Sequence, residues 1–525
     1  MVKNKLKNET IYASCLLLFF LSFSYFYADF FNLNRNWTSQ YDQEVAIAYN
    51  ALLFNSALPQ EYTDHTAYFL ILSSSFYLKL MKLLGFLDIY KFSQVSGVNA
   101  VNDLDLNGVF QDVVFHLRCF SFGINALTAV AITYLFNLIF KRKIFSFILG
   151  VMTFYLYGNI NNLTNIRSEQ FSILFLILSL IVLKIFFEKN RIIYLISFFI
   201  LLFCSILQKS QVIFFVPVIL LFTFYINEKK ISINFSFLEN ININKNKIIL
   251  QIIFFLIIFI TFKSLIFGKD YKTWLFLITL IAVVNLYFFK ISNYLTFKNN
   301  LIVFNFSLIL GYALFNIIIF LHPSAPLKLL DISIFKIIYH AGAYVKDANT
   351  TVPYLSILDF LLVIYKLFIE NISLIMNVFF NPSNAHGVNV YSILFITSFF
   401  GLIICFKRYS MREKKLILSI FLAFIFISQV NFMRFNFIRY YVYSDYLVVL
   451  ILGIVLNKFG KKISISISTL ILISIILVNF NFIEDQKGRP LEYNLCSEGR
   501  IYYFTEYANK IPLDKIKDFC SNKYD

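Results

Sequence analysis

The chain has 525 residues, of which 59% are hydrophobic, 19% aromatic and only 14% charged. A soluble domain carries about 25% charged residues and 45–50% apolar ones, so a mean hydropathy of +0.73 excludes a soluble enzyme, a disordered chain and a small secreted scaffold. The net charge of +17 sits mainly in short basic breaks between apolar runs, the pattern of cytoplasmic loops, and no nucleic-acid partner is expected.

The first apolar run, residues 11–31, follows Lys3, Lys5 and Lys7, which put the N-terminus in the cytoplasm. It is long enough to span a bilayer and lacks a small-x-small cleavage site, so it reads as a retained anchor rather than a signal peptide. Residues 32–112 form a long polar segment. Within it, 67–86 is apolar but broken by Lys79 and Lys82. It reads as an interfacial helix, because a single crossing there would invert every later loop, although its length would allow one.

Further runs follow at 119–140, 144–158, 171–187, 192–208, 212–226, 248–268, 273–289, 301–321, 391–406, 416–431, 440–457 and 463–483. With the first run they make about 13 transmembrane helices, range 11–14. Alternation places Lys141 to Lys143, Lys189 to Arg191, Glu228 to Lys247, Lys290 to Lys298, Lys407 to Lys415 and Lys458 to Lys462 inside, and all six are rich in Lys and Arg. Residues 158–170 and 322–390 fall outside and are poor in basic residues. In the latter, 352–380 is interrupted by Asp359, Lys366 and Glu370 and reads as a second interfacial helix, zero or two crossings preserving the topology.

The expected fold class is therefore all-α integral membrane, with two long extracytoplasmic segments bearing interfacial helices. Residues 1–483 form the polytopic domain, with 32–112 and 322–390 as its outer loops, and 484–525 a short extracytoplasmic tail. The tail holds Cys496 and Cys520, a disulfide candidate in an oxidising compartment or else two free thiols. Cys15, Cys119, Cys204 and Cys405 lie in or at the ends of apolar runs and read as small hydrophobes.

An ionisable residue at the membrane is costly and is a functional candidate by default. Two acidic clusters follow the first span: Tyr41-Asp42-Gln43-Glu44 and Glu61-Tyr62-Thr63-Asp64-His65. A carboxylate there could act as general base on an acceptor hydroxyl or amine, with the others orienting the acceptor or holding a metal. Asp42 and Glu44 are two apart and would point to different sides of a helix; Asp42 is favoured. On residue chemistry alone, a solvated turn and helix start is the simpler reading. Arg167-Ser168-Glu169 opens a later outer helix, where an arginine fork suits a phosphate; the bland alternative is a local ion pair worth little. Arg118, Arg434 and Arg439 are further outer arginines, with lipid headgroups as their bland partners. His322, His340 and His386 have no metal-binding spacing, and no phosphate-binding G-x-x-x-x-G-K-[ST] loop occurs.

This ordered set resembles the GT-C superfamily of polyprenyl-phosphate-sugar glycosyltransferases, in particular its protein mannosyltransferase and lipid A aminoarabinose transferase branch. The resemblance rests on the acidic motif Asp42-Gln43-Glu44 after the first span and on the stretch Thr63 to Phe69. It rests also on the Arg118-led span ending at Lys141-Arg142-Lys143, the Arg167-Ser168-Glu169 element, and Arg439-Tyr440-Tyr441 opening a late span. It covers residues 10–190 in order and spacing, and 190–390 in hydropathy only. The motif usually reads DE, and the second stretch lacks the prolines of its counterparts. The WWDYG motif of the oligosaccharyltransferase branch is absent.

The resemblance implies an inverting transfer of a sugar from a polyprenyl-phosphate donor to a glycan, lipid or protein acceptor, on the outer face of a bacterial inner membrane. Asp42, with Glu44, would be the catalytic acids. Asp64, His65, Arg118, Arg167, Glu169, Arg434, Arg439 and Tyr440 would bind substrate or phosphate. No cofactor is assigned, and a divalent metal is left open. Two alternatives stand beside it: an O-antigen ligase or polymerase, and a non-enzymatic flippase for lipid-linked polysaccharide.

Overall fold

The structure is a computed structural model. It describes residues 2–30, 35–37, 43–61, 67–95, 106–163, 165–209, 388–411 and 441–488, together with a few positions near 212, 307–315, 413–424 and 511–517. Among the described residues the chain is all-helical, with no strand.

The main helices are α1 (Val2–Phe30), α2 (Gln43–Asn55), α3 (Tyr68–Leu83), α4 (Phe92–Val95), α5 (Leu106–Phe140), α6 (Lys143–Phe154), α7 (Tyr157–Leu163), α8 (Ser168–Lys189), α9 (Ile192–Gln208), α10 (Val388–Cys405), α11 (Val442–Leu456) and α12 (Lys461–Gly488). Three of them contain stretches long and apolar enough to cross a membrane: Phe110–Phe140, Ser168–Lys189 and Lys461–Val478. Shorter apolar helices, Ile11–Phe26, Lys143–Phe154, Ile192–Gln208 and Val442–Leu456, accompany them. The runs expected at 248–268 and 273–289, most of 212–226, 301–321 and 416–431, and the interfacial segment 352–380 lie outside the described residues.

α5 is the hub. It packs against α1, α2, α3, α6 and α8. At one end of the α1–α5 pair the Tyr12 hydroxyl donates to the Lys143 carbonyl at 3.2 Å, and Lys143 Nζ lies 4.7 Å from the Tyr12 ring centre. At the other end the Arg118 guanidinium donates to the Arg35 carbonyl at 2.7 Å. At about 1.5 Å per helical residue, these two anchor points are roughly 35 Å apart along the helices, close to the thickness of a bilayer's hydrocarbon core, about 30 Å.

The chain then alternates between the two ends. The α5–α6 turn carries Lys141, Arg142 and Lys143; α7 and the start of α8 return to the Arg118 end; α8 descends to Lys189 and ends at Asn190. Asn190 adopts a left-handed backbone (φ 52°) and its N–H donates to the Phe186 carbonyl at 2.7 Å, a helix stop that asparagine tolerates. α11 starts beside α7, where Asn159 donates to Asp445 at 3.2 Å, and finishes beside the α5–α6 turn, where Gly453 lies against Phe140 and Leu149.

Every residue of α11 is buried, and such a helix, apolar around its circumference beyond its first turn, belongs inside a bundle. The peripheral helices instead turn large apolar side chains outward: Leu18 and Phe26 on α1, Phe400 and Ile404 on α10, Leu470 and Leu477 on α12. Such a surface suits hydrocarbon rather than water. α3 is the helix expected over 67–86. It buries Tyr68, Leu70, Ile71, Ser74, Ser75 and Leu78 and exposes Phe76, Leu80 and Leu83 beside Lys79 and Lys82.

Candidate functional site

The Arg118 end of the bundle holds a polar network that begins on α5. Gln111, Arg118, Ser121 and Asn125 are spaced seven, three and four residues apart, so they form one stripe on the helix. Each reaches backbone in a loop or at a helix end. Gln111 receives the Trp37 N–H at 3.0 Å and donates to the Arg35 carbonyl at 3.3 Å. Ser121 donates to the Asn165 carbonyl at 2.9 Å and to Gln170 Oε1 at 2.7 Å. Asn125 donates to the Asn162 carbonyl at 3.1 Å. Buried backbone groups require partners, and this stripe supplies them to the 35–37 segment and the α7–α8 turn. Gln170 completes the turn, donating to the carbonyls of Asn162 and Asn165.

Within this frame lies a first buried ion cluster. Glu44, in the first turn of α2, is 1% exposed and Arg118 is 0% exposed. Glu44 Oε2 accepts from Arg118 Nη2 at 2.8 Å and Nε at 3.2 Å. Its Oε1 accepts from Arg35 Nη2 at 3.3 Å and from the Ile166 backbone N–H at 3.2 Å. Arg35 also donates to Asn165 Oδ1 at 2.8 Å. Burial pulls the Arg35 guanidinium down to about 10; the Glu44 charge raises it and the Arg118 charge lowers it further, so it remains a cation at neutral pH.

A second buried cluster adjoins the first through consecutive residues of the same turn. Arg167 is the N-cap of α8. Its Nε is 3.4 Å from Glu169 Oε2, and Lys209 Nζ, just beyond α9, is 3.0 Å from Glu169 Oε1. All three side chains are at most 4% exposed, so the local Arg167–Glu169 ion pair of the bland alternative does form, but buried and shared with Lys209. Gln208, next to Lys209, accepts the Phe69 N–H at 2.6 Å and so ties the start of α3 to this corner. On the other side, Tyr49 of α2 donates to Glu61 Oε2 at 2.7 Å.

Four expected site residues therefore meet: Glu44, Arg118, Arg167 and Glu169. In the structure, Arg118 is engaged by Glu44 and by the carbonyls of Arg35 and Asn36. Asp42, Asp64, His65, Arg434, Arg439, Tyr440, Cys496 and Cys520 lie outside the described residues. The remaining cysteines, Cys15, Cys119, Cys204 and Cys405, are free thiols. Among the described residues no three His, Cys, Asp or Glu side chains gather as a metal site.

Sequence reasoning missed Arg35, Gln111, Asn165, Lys209 and Asp445. The heptad-like polar spacing on α5 was a readable signal. Lys209 was not, because a lysine at the end of an apolar run reads as a flanking charge. No family model, no curated protein and no solved structure matches this chain.

Proposed function

We propose that the chain is a membrane glycosyltransferase of the GT-C type, moving a sugar from a polyprenyl-phosphate donor to a glycan, lipid or protein acceptor at the outer membrane rim. The observation that carries this reading is the convergence of Glu44, Arg118, Arg167 and Glu169, from three separate stretches of chain, into adjoining buried ion clusters at one end of the bundle. Burying such charges in apolar surroundings is costly, which favours a site over an accident of folding.

In this reading Asp42 is the general base, two residues ahead of the anchored Glu44. It takes the proton of the acceptor hydroxyl as the acceptor oxygen attacks the anomeric carbon from the face opposite the phosphate. The bond to the phosphate oxygen breaks with inversion, and the lipid phosphate leaves. Arg167, with Arg434 and Arg439 from the later segment, steadies its charge. Glu44 and Arg118 support this machinery from behind. Asp64 and His65 orient the acceptor, and a divalent metal is compatible with the acidic clusters.

The test is Asp42→Asn, expressed at wild-type level in a strain whose own gene is inactivated. Mass spectrometry first identifies the envelope glycan that loses a sugar on inactivation. Asp42→Asn is expected to leave that glycan unrestored, since removing a general base typically costs about 10²–10⁴-fold in rate. Full restoration would remove the base assignment. A ligase, polymerase or flippase differs at the first step: the glycan then changes in chain length, attachment or location, without loss of one residue.

A further inference from the structure

Glu44 and its partners come from four pieces of chain. Arg35 follows α1, Arg118 lies on α5, the Ile166 N–H belongs to the α7–α8 turn, and Glu44 itself opens α2. Both carboxylate oxygens already accept hydrogen bonds. Two guanidinium groups and a backbone N–H occupy them, whereas a base must turn a free lone pair toward the incoming proton.

We infer that Glu44 is a positioning residue: with Arg118 it forms a clamp that holds the start of α2 against the α7–α8 turn. The clamp thereby fixes the first turn of α2, at the end of the acidic motif, relative to Arg167, one residue beyond Ile166. Its purpose rests on the transferase reading; its existence does not. The clamp also explains why Arg118 lies fully buried with its donors on Glu44 and on the carbonyls of Arg35 and Asn36.

The test is a double-substitution cycle on the full-length chain in detergent: Glu44→Gln, Arg118→Gln, and both together. Each single clamp variant leaves a buried partner uncompensated and is expected to lower Tm by about 5 °C or more, while the double variant loses clearly less than the two combined.

The same variants are then read in the inactivated strain by the glycan the chain restores. Glu44→Gln is expected to reduce restoration about a hundredfold, the size of effect a small misplacement produces. Adding Arg118→Gln should recover part of it. Additive Tm losses would overturn the clamp. A double variant that is as stable as expected yet no more active than Glu44→Gln would overturn the positioning role and make Glu44 a chemical participant. If inactivating the gene alters no glycan, the transferase reading fails, and the thermal cycle alone decides the clamp.

Discussion

At the end of the bundle marked by the α7–α8 turn, the side chains of Arg118, Arg167, Glu169 and Lys209 are at most 4% exposed. At the opposite end, Lys184 and Glu188 pair at 3.2 Å with 33% and 45% of their side chains exposed, and Lys458 and Glu413 pair at 2.6 Å with 20% and 33%. The same residue types thus do two different jobs. Exposed pairs are screened and contribute little. Buried clusters are strongly destabilised when one partner is removed, so they persist only where the fold or the chemistry needs them.

That contrast can be attacked at several strengths. The largest effect belongs to the buried end. Lys209→Met strips Glu169 of one of its two cations and should cost about 3 kcal/mol, measured by thermal unfolding in detergent; a change as small as that of an exposed pair would erase the distinction. Next is Gly158→Ala. A β-carbon there would collide with the Val442 backbone and meet Tyr441 C at 2.6 Å and Asp445 Oδ2 at 2.7 Å. Prying α11 from α7 should cost about 1–3 kcal/mol.

The smallest effect belongs to the exposed end. Burial pushes the Glu413 carboxyl up, but hydrogen bonds from Lys458 and from the Ser410 N–H and hydroxyl outweigh it, and its pKa lies below the ordinary 4.5. A depressed carboxylate contributes stability that is present above its unfolded pKa and lost as pH falls through its folded one. Glu413→Gln should therefore cost about 0.5 kcal/mol at neutral pH and nothing once the pH is below that folded pKa, which salt- and pH-dependent melting would check.

Much of the scaffold was legible because apolar runs bounded by basic residues have few alternatives. The run at 192–208 coincides with α9 (Ile192–Gln208), and 171–187 falls inside α8 (Ser168–Lys189). The start of α5 was misplaced for a physical reason. Gln111, Asp112, His116 and Arg118 look like loop residues ahead of a span beginning at 119, yet the helix starts at Leu106 because protein, not lipid, receives its polar stripe. That Glu44, Arg118 and Arg167 fall at one end of the bundle was readable from their order among the apolar runs. The pairing of Glu44 with Arg118 was not, since contacts between residues 74 apart in sequence depend on how helices rotate about their axes. Asp445, inside an otherwise apolar run, gave no sign that Asn159 would meet it.

One strand of the Glu44 clamp is made by the peptide group of Ile166 rather than by its side chain. The isoleucine side chain is itself fully buried, so only apolar residues of similar size can replace it without loosening this strand, and proline, which has no N–H, would cut it. Descendants of this chain can thus exchange one apolar residue for another at 166 while inheriting the attachment unchanged, so a family portrait built from side-chain identity alone would overlook one of its fixed points.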